Sequence, residues 1–181
     1  MTMLKPDFYT ELLNDPRMDV YEYSSPLGTI LLAADEASLK FCLFYGQEGP
    51  ASGNKALVKK NLQLKLAAAF LDDIFSGTRP LIDGFMESGL SFDFSPFSDK
   101  EIRVYRELLN VPPGKTVSYR KLSFMAGIPR GARFVGNTMA KNVFPILVPC
   151  HRVVPERGGY GNYSSGVETK IVILKKEGII L

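Results

Sequence analysis

The stretch Pro149–Val154 constrains this chain more than any other feature, because it places one of only two cysteines directly before the only histidine. An apolar run, residues 144–148, leads into it. A thiol is nucleophilic only as a thiolate, and a free cysteine with a pKa near ~8.5 needs a base such as imidazole at neutral pH. Neighbouring side chains on a strand point to opposite faces. We therefore expect Cys150 and His151 to lie on a turn or helix start, or to communicate through water. The alternative is a buried structural cysteine beside a surface histidine.

Charge is distributed unevenly along the 181 residues. Residues 1–100 carry 9 Lys and Arg against 14 Asp and Glu, a net charge of −5, whereas residues 101–181 carry 13 against 5, a net charge of +8. A basic half beside an acidic half is typical of a protein that binds nucleic acid through one half only, although ordinary surface asymmetry produces the same pattern. Hydrophobic residues make up 45% of the chain, and no apolar run approaches the ~20 residues of a membrane span.

The cysteine count argues against a metal site and against secretion. Cys42 and Cys150 lie far apart, and the first twenty residues lack the apolar centre of a signal peptide. We therefore expect a reducing, cytoplasmic location, or one in the nucleoid or nucleus with access to DNA. Two cysteines and one histidine without metal-ligand spacing predict no metal and no cofactor.

The first half of the chain predicts a small antiparallel sheet and one helix. Strands are expected over residues 20–23, 29–33 and 39–44, with Cys42 packing in the third strand and turns between them. Residues 1–17 form a lead-in and residues 46–54 a loop. A helix is predicted from Ala56 to Phe75, with Gly77 as its C-terminal cap and Pro80 as a stop, and residues 77–97 connect the two halves. Its apolar stripe, which should cover the sheet, is Val58, Leu62, Leu66, Ala69 and Phe70.

The second half predicts four helices. Ser98 and Glu101 form a capping box before a helix that ends near Asn110, with a buried face of Ile102, Tyr105, Leu108 and Leu109. Two short helices, at 119–126 and 131–141, flank a turn and fit a helix-turn-helix or, equally well, a plain helical hairpin. Five basic residues favour the DNA-binding alternative: Arg120, Lys121, Arg130, Arg133 and Lys141.

The chain ends with a glycine-rich loop and a last helix. The loop 155–166 contains four glycines, which allow the backbone to approach a ligand closely. The helix runs from Val167 to about Glu177, with Val167, Ile171 and Leu174 packing inward and Gly178 ending it. The fold class is therefore α/β. We predict a sheet-plus-helix domain over residues 1–95 and a mostly helical domain with the helix-turn-helix over residues 96–181.

Several motifs of the second half resemble, in order and spacing, the O6-alkylguanine-DNA alkyltransferase (methylated-DNA–protein-cysteine methyltransferase) family. Beside Pro149–Val154 they are residues 118–122, 127–129, 132–136, 141–142, 161–166 and 175–178. The resemblance covers residues 98–181 strongly and the first ninety weakly. It implies DNA repair by one stoichiometric transfer of an alkyl group from O6-alkylguanine to Cys150, by a monomer acting on double-stranded DNA.

The resemblance also implies the catalytic residues. Cys150 is the alkyl acceptor, His151 the base acting through a bound water, and Glu177 the acid that orients the histidine. Independently, Glu177 lies in the last turn of a helix, where the helix dipole disfavours an anion, so a partner is expected unless the side chain is a solvated surface group. Asn142 matches the family's hinge asparagine, and its alternative is a helix C-cap. Tyr119 matches a tyrosine that turns the target phosphate and donates a proton to the leaving guanine, or it is a core aromatic.

The same resemblance implies the DNA-contacting and substrate-binding residues. A stacked base cannot reach a buried thiol, so the nucleotide must be flipped out, and Arg133 matches the family's finger that fills the gap. The alternative for Arg133 is one phosphate contact, as expected for Arg120, Arg130 and Lys141. The substrate-binding residues expected are Val153, Tyr163, Ser164, Ser165 and Lys170. Ser165 departs from a common glycine and argues against bulky alkyl groups, while Lys170 closes over the pocket or is an exposed helix residue.

Two other functions remain open from the residues. A non-catalytic lesion sensor, like the alkyltransferase-like relatives, would lack the cysteine that this chain retains at position 150. A Cys-His hydrolase would need an oxyanion site and multiple turnover, and it would leave the basic half of the chain unexplained.

Overall fold

The computed structural model describes residues 15–44, 60–76 and 89–181. The predicted loop at 46–54, the proposed cap Gly77 and stop Pro80, and most of the lead-in lie outside these residues. No helix within the described ranges is long and apolar enough to cross a membrane.

Three antiparallel strands form the predicted sheet, in the order β1 (Asp19–Ser25), β2 (Gly28–Ala34) and β3 (Leu39–Phe44). Gly28 closes the first hairpin with a φ of 107°, a conformation that favours glycine. Asp35 closes the second hairpin, because its Oδ1 accepts hydrogen bonds from the backbone N–H groups of Ala37 and Ser38. The three predicted strands are confirmed within one or two residues.

The sheet is buried on both faces along β2. One face contributes Ile30 and Leu32 to the main hydrophobic core. The other face forms a smaller cluster, with Leu31 and Phe41, against the partly buried Val143. The backbone N–H of Cys42 donates to the Val143 carbonyl at 2.8 Å, so β3 is joined to the segment that leads into Pro149–Val154.

Helix α1 (Leu62–Ser76) covers the sheet, but the predicted apolar stripe was wrong in part. Leu66 and Phe70 pack partly buried against the core, Leu62 and Ala69 are exposed, and Val58 lies outside the described residues. Leu62 is 59% exposed, and the buried apolar side chains are instead Leu64, Ala67, Ala68, Leu71 and Ile74. The segment is apolar on nearly every side, so the spacing of apolar residues did not single out one face. Two polar side chains hydrogen-bond where this helix packs. Asn61 Oδ1 accepts from the Leu64 N–H, and Gln63 bonds the backbone at Gly89 and Ser91.

Helix α2 (Asp99–Leu109) begins with the predicted capping box. Glu101 accepts hydrogen bonds from both the backbone N–H and the hydroxyl of Ser98. Val104, Tyr105 and Leu108 form its apolar buried face, whereas the expected Ile102 and Leu109 are only partly buried. The Tyr105 hydroxyl donates to the Thr138 carbonyl at 2.8 Å, and this bond joins α2 to the second short helix.

Two short helices pack against each other, α3 (Tyr119–Met125) and α4 (Ala132–Ala140). Ser118 caps α3 by accepting a hydrogen bond from the Lys121 N–H, as predicted. Gly131, at the start of α4, lies so close to Ile128 that an added Cβ would come within 2.5 Å of its side chain. The turn therefore requires glycine here for space.

A short parallel ribbon joins the helices to the Cys150 segment. Strand β4 (Val117–Ser118) pairs with β5 (Val153–Val154), and a 3₁₀ turn, Cys150–Arg152, precedes β5. Cys150 and His151 thus lie on a turn, as predicted. Helix α5 (Val167–Lys176) completes the chain. One core cluster contains residues of the sheet, α1, α2 and the Cys150 segment, so the two halves share apolar packing.

Candidate active site

A cavity of about 980 Å³ opens between α4, the Cys150 turn and the glycine-rich loop. Cys150 lies in its wall, although the residue is only 4% exposed. The other lining residues come from three places in the chain: Tyr119, Ala132, Gly136, Asn137, Met139 and Ala140 from the helices; Pro155, Gly161 and Asn162 from the start of the loop; and Tyr163, Ser164 and Gly166 from its end. The volume fits one small ligand or one nucleotide base.

The Cys150 thiol is held by the side chain of Asn142. Asn142 Nδ2 lies 3.0 Å from Cys150 Sγ and 2.9 Å from the Val148 carbonyl, while its Oδ1 accepts from the Phe144 N–H at 2.9 Å. The asparagine therefore ties the end of α4 to the cysteine. Burial raises the pKa of the Cys150 thiol, and the hydrogen bond from Asn142, the nearby Tyr163 hydroxyl and the charge of Lys170 act against it. The thiol is protonated at neutral pH but surrounded by groups that stabilise a thiolate.

His151 is completely buried beside Cys150 and is paired with Glu177. His151 Nε2 lies 3.0 Å from Glu177 Oε1, so the contact expected between these residues is present. Burial lowers the pKa of His151 despite the neighbouring carboxylate, which leaves the ring neutral at pH 7. Because Glu177 is an anion, it favours the tautomer with the proton on Nε2. The lone pair is then on Nδ1, which has no hydrogen-bond partner among the described residues.

Arg152 is a second partner of Glu177 that the sequence interpretation did not assign. Its Nε donates to both Glu177 oxygens at 3.1 Å, Nη2 donates to Oε1 at 2.7 Å, and Nη1 donates to the Val111 carbonyl at 2.6 Å. Burial alone would raise the pKa of Glu177, but the bonds from His151 and Arg152 outweigh it and lower the pKa to about 2. The available signal was a basic residue inside an apolar stretch, since buried cations are almost always paired.

Lys170 is fully buried in α5, and the alternative of an exposed helix residue is wrong. Its Nζ donates to the Val153 carbonyl at 2.6 Å. Burial lowers the pKa of Lys170 to about 8, and the charge of a Cys150 thiolate partly offsets this effect. Lys170 and Val153 thus lie behind the thiol, outside the set of side chains that line the cavity.

Two other predicted substrate residues line the cavity, Tyr163 and Ser164. Burial, and next the charge of Cys150, raise the pKa of Tyr163 well above its usual value, so its hydroxyl remains a hydrogen-bond donor. Ser165 is not among the lining residues. Its carbonyl accepts a hydrogen bond from the Thr169 hydroxyl at 2.8 Å, which fixes the loop to α5.

Tyr119 lies in the cavity wall, and Arg133 lies beside a residue of that wall. Tyr119 is the first residue of α3 and lines the cavity, and burial and then the Cys150 charge raise its pKa. Arg133 is the second residue of α4 and is exposed. Its neighbour Ala132 lines the cavity, so Arg133 lies next to the cavity wall.

The remaining basic residues differ in their exposure and in whether they form an ion pair. Arg130 is exposed in the turn before α4. Arg120 Nε forms an ion pair with Glu156 at 2.8 Å, and both side chains are at least half exposed. Lys141 Nζ lies 2.7 Å from the carboxylate of Glu101, which is buried at the start of α2. Lys141 therefore already serves to join α4 to α2.

Cys42 is the second thiol of the chain and lies apart from this chemistry. It is completely buried in β3, as expected for a packing residue, and its Sγ is 3.5 Å from the Pro145 carbonyl. Burial strongly raises its pKa. Across the described ranges, no group of three or more His, Cys, Asp or Glu side chains could hold a metal ion.

Comparison with known proteins gives consistent matches over most of the chain. A family model described as the DNA-binding domain of 6-O-methylguanine DNA methyltransferase matches residues 99–179. The methylated-DNA–protein-cysteine methyltransferase of Methanosarcina acetivorans is 31% identical over 157 residues, which cover 86% of this chain and 96% of the relative. The protein of the same name from Metallosphaera sedula is 33% identical over 162 residues, covering 88% and 92%. Among solved structures, Mycobacterium tuberculosis OGT in complex with DNA matches with a TM-score of 0.71 and 26% identity, over 87% of this chain and 91% of that one.

Proposed function

This chain belongs to the methylated-DNA–protein-cysteine methyltransferase family, and we propose that it repairs O6-alkylguanine in DNA by moving the alkyl group onto Cys150. The observation that carries the proposal is the thiol of Cys150 in the cavity wall, held by Asn142 at 3.0 Å and followed directly by the buried His151–Glu177 pair. This arrangement can convert the buried thiol into a nucleophile in the wall of a cavity that a base could enter. The reaction belongs to DNA repair.

The transfer is a single displacement at carbon. The Cys150 thiolate attacks the alkyl carbon, a new S–C bond forms, and the C–O bond to guanine breaks with its electron pair remaining on the guanine. A proton then neutralises the guanine. The thioether is stable, and none of the described residues that line the cavity has an assigned role in regenerating the thiol, so we expect each molecule to react once.

Deprotonation of the thiol falls to His151. The lone pair on Nδ1 is free of protein partners among the described residues, and one water between Nδ1 and the thiol would relay the proton. Glu177 holds the ring and stabilises the cation that forms, while Arg152 keeps Glu177 ionised. Asn142 stabilises the thiolate through its N–H donor.

Guanine recognition is assigned to the loop and to Tyr119. The Tyr163 ring can stack on the flipped base, and the backbone near Ser164 can donate to the guanine oxygen as negative charge develops. The raised pKa of Tyr119 keeps its hydroxyl protonated, which supports its role as the donor to the leaving guanine. Lys170 acts from behind the thiol, and Val153 presents the carbonyl that holds it.

DNA binding is assigned to α3 and α4 acting as a helix-turn-helix. The target nucleotide must leave the duplex to reach Cys150, and Arg133 is assigned to fill the gap that the nucleotide leaves, because it is exposed and lies beside the cavity-lining Ala132. Arg120 and Arg130 are assigned to phosphates. We expect Lys141 to contribute less, because its ammonium group is paired with Glu101.

Transferred label would test the proposal most simply. A duplex carrying one radiolabelled O6-methylguanine is mixed with the protein, and label on protein is counted per molecule. We expect the count to rise to about one and then stop, as a nucleophile without a regeneration step requires. Cys150→Ala should take up no label yet still bind the duplex, because the basic face is separate from the thiol. Binding without label on the unsubstituted protein would instead indicate a lesion sensor, and multiple turnover on an ester would indicate a hydrolase.

The finger role of Arg133 has its own test. Arg133→Ala should slow transfer from a paired duplex more than from a single strand, where no base pair has to be opened. Arg130→Ala is the matched control, since loss of a phosphate contact should slow both substrates alike. Equal losses for Arg133→Ala on the two substrates would contradict a finger.

The two halves of the chain have different proposed roles. We assign residues 96–181 to DNA binding and alkyl transfer, and residues 1–95 to support of the segment before Cys150, through the bond between Cys42 and Val143. We expect a monomer acting on double-stranded DNA.

A further inference from the structure

The outward face of α3 carries an exposed aromatic ring between two cations. Phe124 is 76% exposed, although most large apolar side chains of the described residues are buried. Arg120 and Lys121 lie four and three residues before it, which are the spacings that place helix residues side by side. Leu122 and Ser123 point the other way, into the protein. The ring and the two cations therefore share one surface.

This surface begins at the rim of the cavity. Tyr119, directly before Arg120, lines the cavity, and so does Pro155, directly before Glu156. The ion pair of Arg120 and Glu156 at 2.8 Å bridges the two rims. A nucleic-acid strand that delivers a base into the cavity must cross its rim, and this surface is one place where it can do so.

The ion pair shows that Arg120 accepts an anionic oxygen at this edge of the surface. Arg120 and Glu156 retain side-chain exposures of 75% and 50%, so the pair is weak and exchangeable. A carboxylate oxygen at 2.8 Å from a guanidinium occupies the position that a phosphate oxygen would take. The free protein thus holds its own anion at the edge of the aromatic surface.

We propose that this surface, made of Arg120, Lys121 and Phe124, binds the DNA strand that flanks the nucleotide in the cavity. The phenyl ring packs on the apolar faces of the sugars, Lys121 and Arg120 take the phosphates on either side, and a phosphate displaces Glu156 from Arg120. The inference rests on the proposed function and deepens it. A ring placed between cations suits a strand in which apolar sugars alternate with anionic phosphates, and it suits an apolar protein surface poorly.

The contribution of the ring is tested with Phe124→Ala. Binding to an unmodified fluorescent duplex is measured by anisotropy at several salt concentrations, so that no alkyl transfer interferes. Partial burial of a phenyl ring predicts roughly five- to tenfold weaker binding. The salt dependence should stay unchanged, because an apolar contact releases no counterions. Ile180→Ala, which removes a side chain that is 82% exposed elsewhere, is the matched control and should bind normally.

The exchange of anions is tested with Glu156→Gln. Removal of the competing carboxylate should strengthen DNA binding by up to about fivefold, the range of an exposed ion pair. The gain should vanish when Arg120→Gln is also present, and Arg120→Gln alone should reduce the salt slope by about one. Glu36→Gln, a charge change in an exposed turn of the sheet, is the control for net charge.

The outcomes separate this inference from the proposed function. Unchanged DNA binding by Phe124→Ala, or a gain from Glu156→Gln that persists without Arg120, would overturn the surface while label transfer to Cys150 still upholds the function. A loss of self-association in Phe124→Ala with normal DNA binding would equally overturn it, in favour of a protein contact. At saturating duplex, Phe124→Ala and Glu156→Gln should still take up about one label per molecule, because neither residue lies in the catalytic set.

Discussion

Replacement of Glu177 by glutamine perturbs the most densely bonded group of the site. Glu177 Oε1 accepts from His151 Nε2 at 3.0 Å and from Arg152 Nη2 at 2.7 Å, and Arg152 Nε lies 3.1 Å from both oxygens. Glutamine keeps the shape but loses the charge. It leaves the Arg152 guanidinium, whose side chain is 5% exposed, without a counter-ion in the interior.

Two arguments give the size of the effect. The pKa of Glu177 is about 2 in the folded protein against an ordinary 4.5. This difference corresponds to about 3 kcal/mol of stability, which is present above pH ~4.5 and lost as the pH falls toward 2. Removing one partner of a buried ion pair independently costs about 3 to 5 kcal/mol. For a chain of this length the melting temperature should fall by about 6 to 20 °C at pH 7.

Urea denaturation followed by circular dichroism measures the unfolding free energy, and single-turnover label transfer measures the rate. Transfer should slow by about 10²-fold or more, because the histidine loses the group that orients it. Glu168→Gln is the control, an exposed acid in the first turn of the same helix, and should change stability by less than about 1 kcal/mol. A loss below about 1 kcal/mol for Glu177→Gln would refute the reasoning about the buried pair.

Three further predictions follow from burial and packing. Because the pKa of His151 is depressed in the folded protein, the unfolded chain takes up a proton at higher pH than the folded protein does. The free energy of unfolding should therefore fall by up to about 1.4 kcal/mol per pH unit as the pH drops below 6.5. His151→Asn should flatten this slope in urea titrations at pH 7, 6 and 5. Lys170→Met should remove the cost of burying an ammonium group, and so stabilise the protein at pH 7 by about 1 to 2 kcal/mol, while slowing alkyl transfer. A destabilised variant would mean that the hydrogen bond from Lys170 to the Val153 carbonyl outweighs that cost. Gly131→Ala should cost about 1 to 3 kcal/mol of unfolding free energy, since the new methyl meets Ile128, and equal stability would show that the turn can yield.

Local patterns predicted much of the fold. The three strands, the capping box at Ser98, the Ser118 cap and the short helices depend on residues near in sequence, and the structure confirms them within a few positions. Part of the face of α1 was predicted wrongly because its segment is apolar on nearly every side. The observed orientation of the helix accompanies hydrogen bonds from Asn61 to the Asp35 carbonyl and from Gln63 to the Gly89 carbonyl. The spacing of apolar residues does not reveal such bonds.

The sequence likewise predicted part of the site and missed another part. The motif with its resemblance predicted that Cys150, His151 and Glu177 belong together, and the contact between His151 and Glu177 is present. The role of Arg152 was missed because its two partners, Glu177 and the Val111 carbonyl, are 25 and 41 residues away. The pairing of Lys141 with Glu101 was missed for the same reason, since a basic residue in sequence carries no sign of an acid brought to it by the fold.

The most direct test of the central claim is to identify the alkylated residue. The protein is incubated with an excess of duplex containing O6-methylguanine, and its intact mass and peptides are then measured by mass spectrometry. We predict one added methyl group per molecule, found only on the peptide that contains Cys150, with Cys42 unmodified as the internal control. A methyl group on Cys42 or elsewhere, or an unmodified Cys150 after the lesion has disappeared from the DNA, would contradict the account.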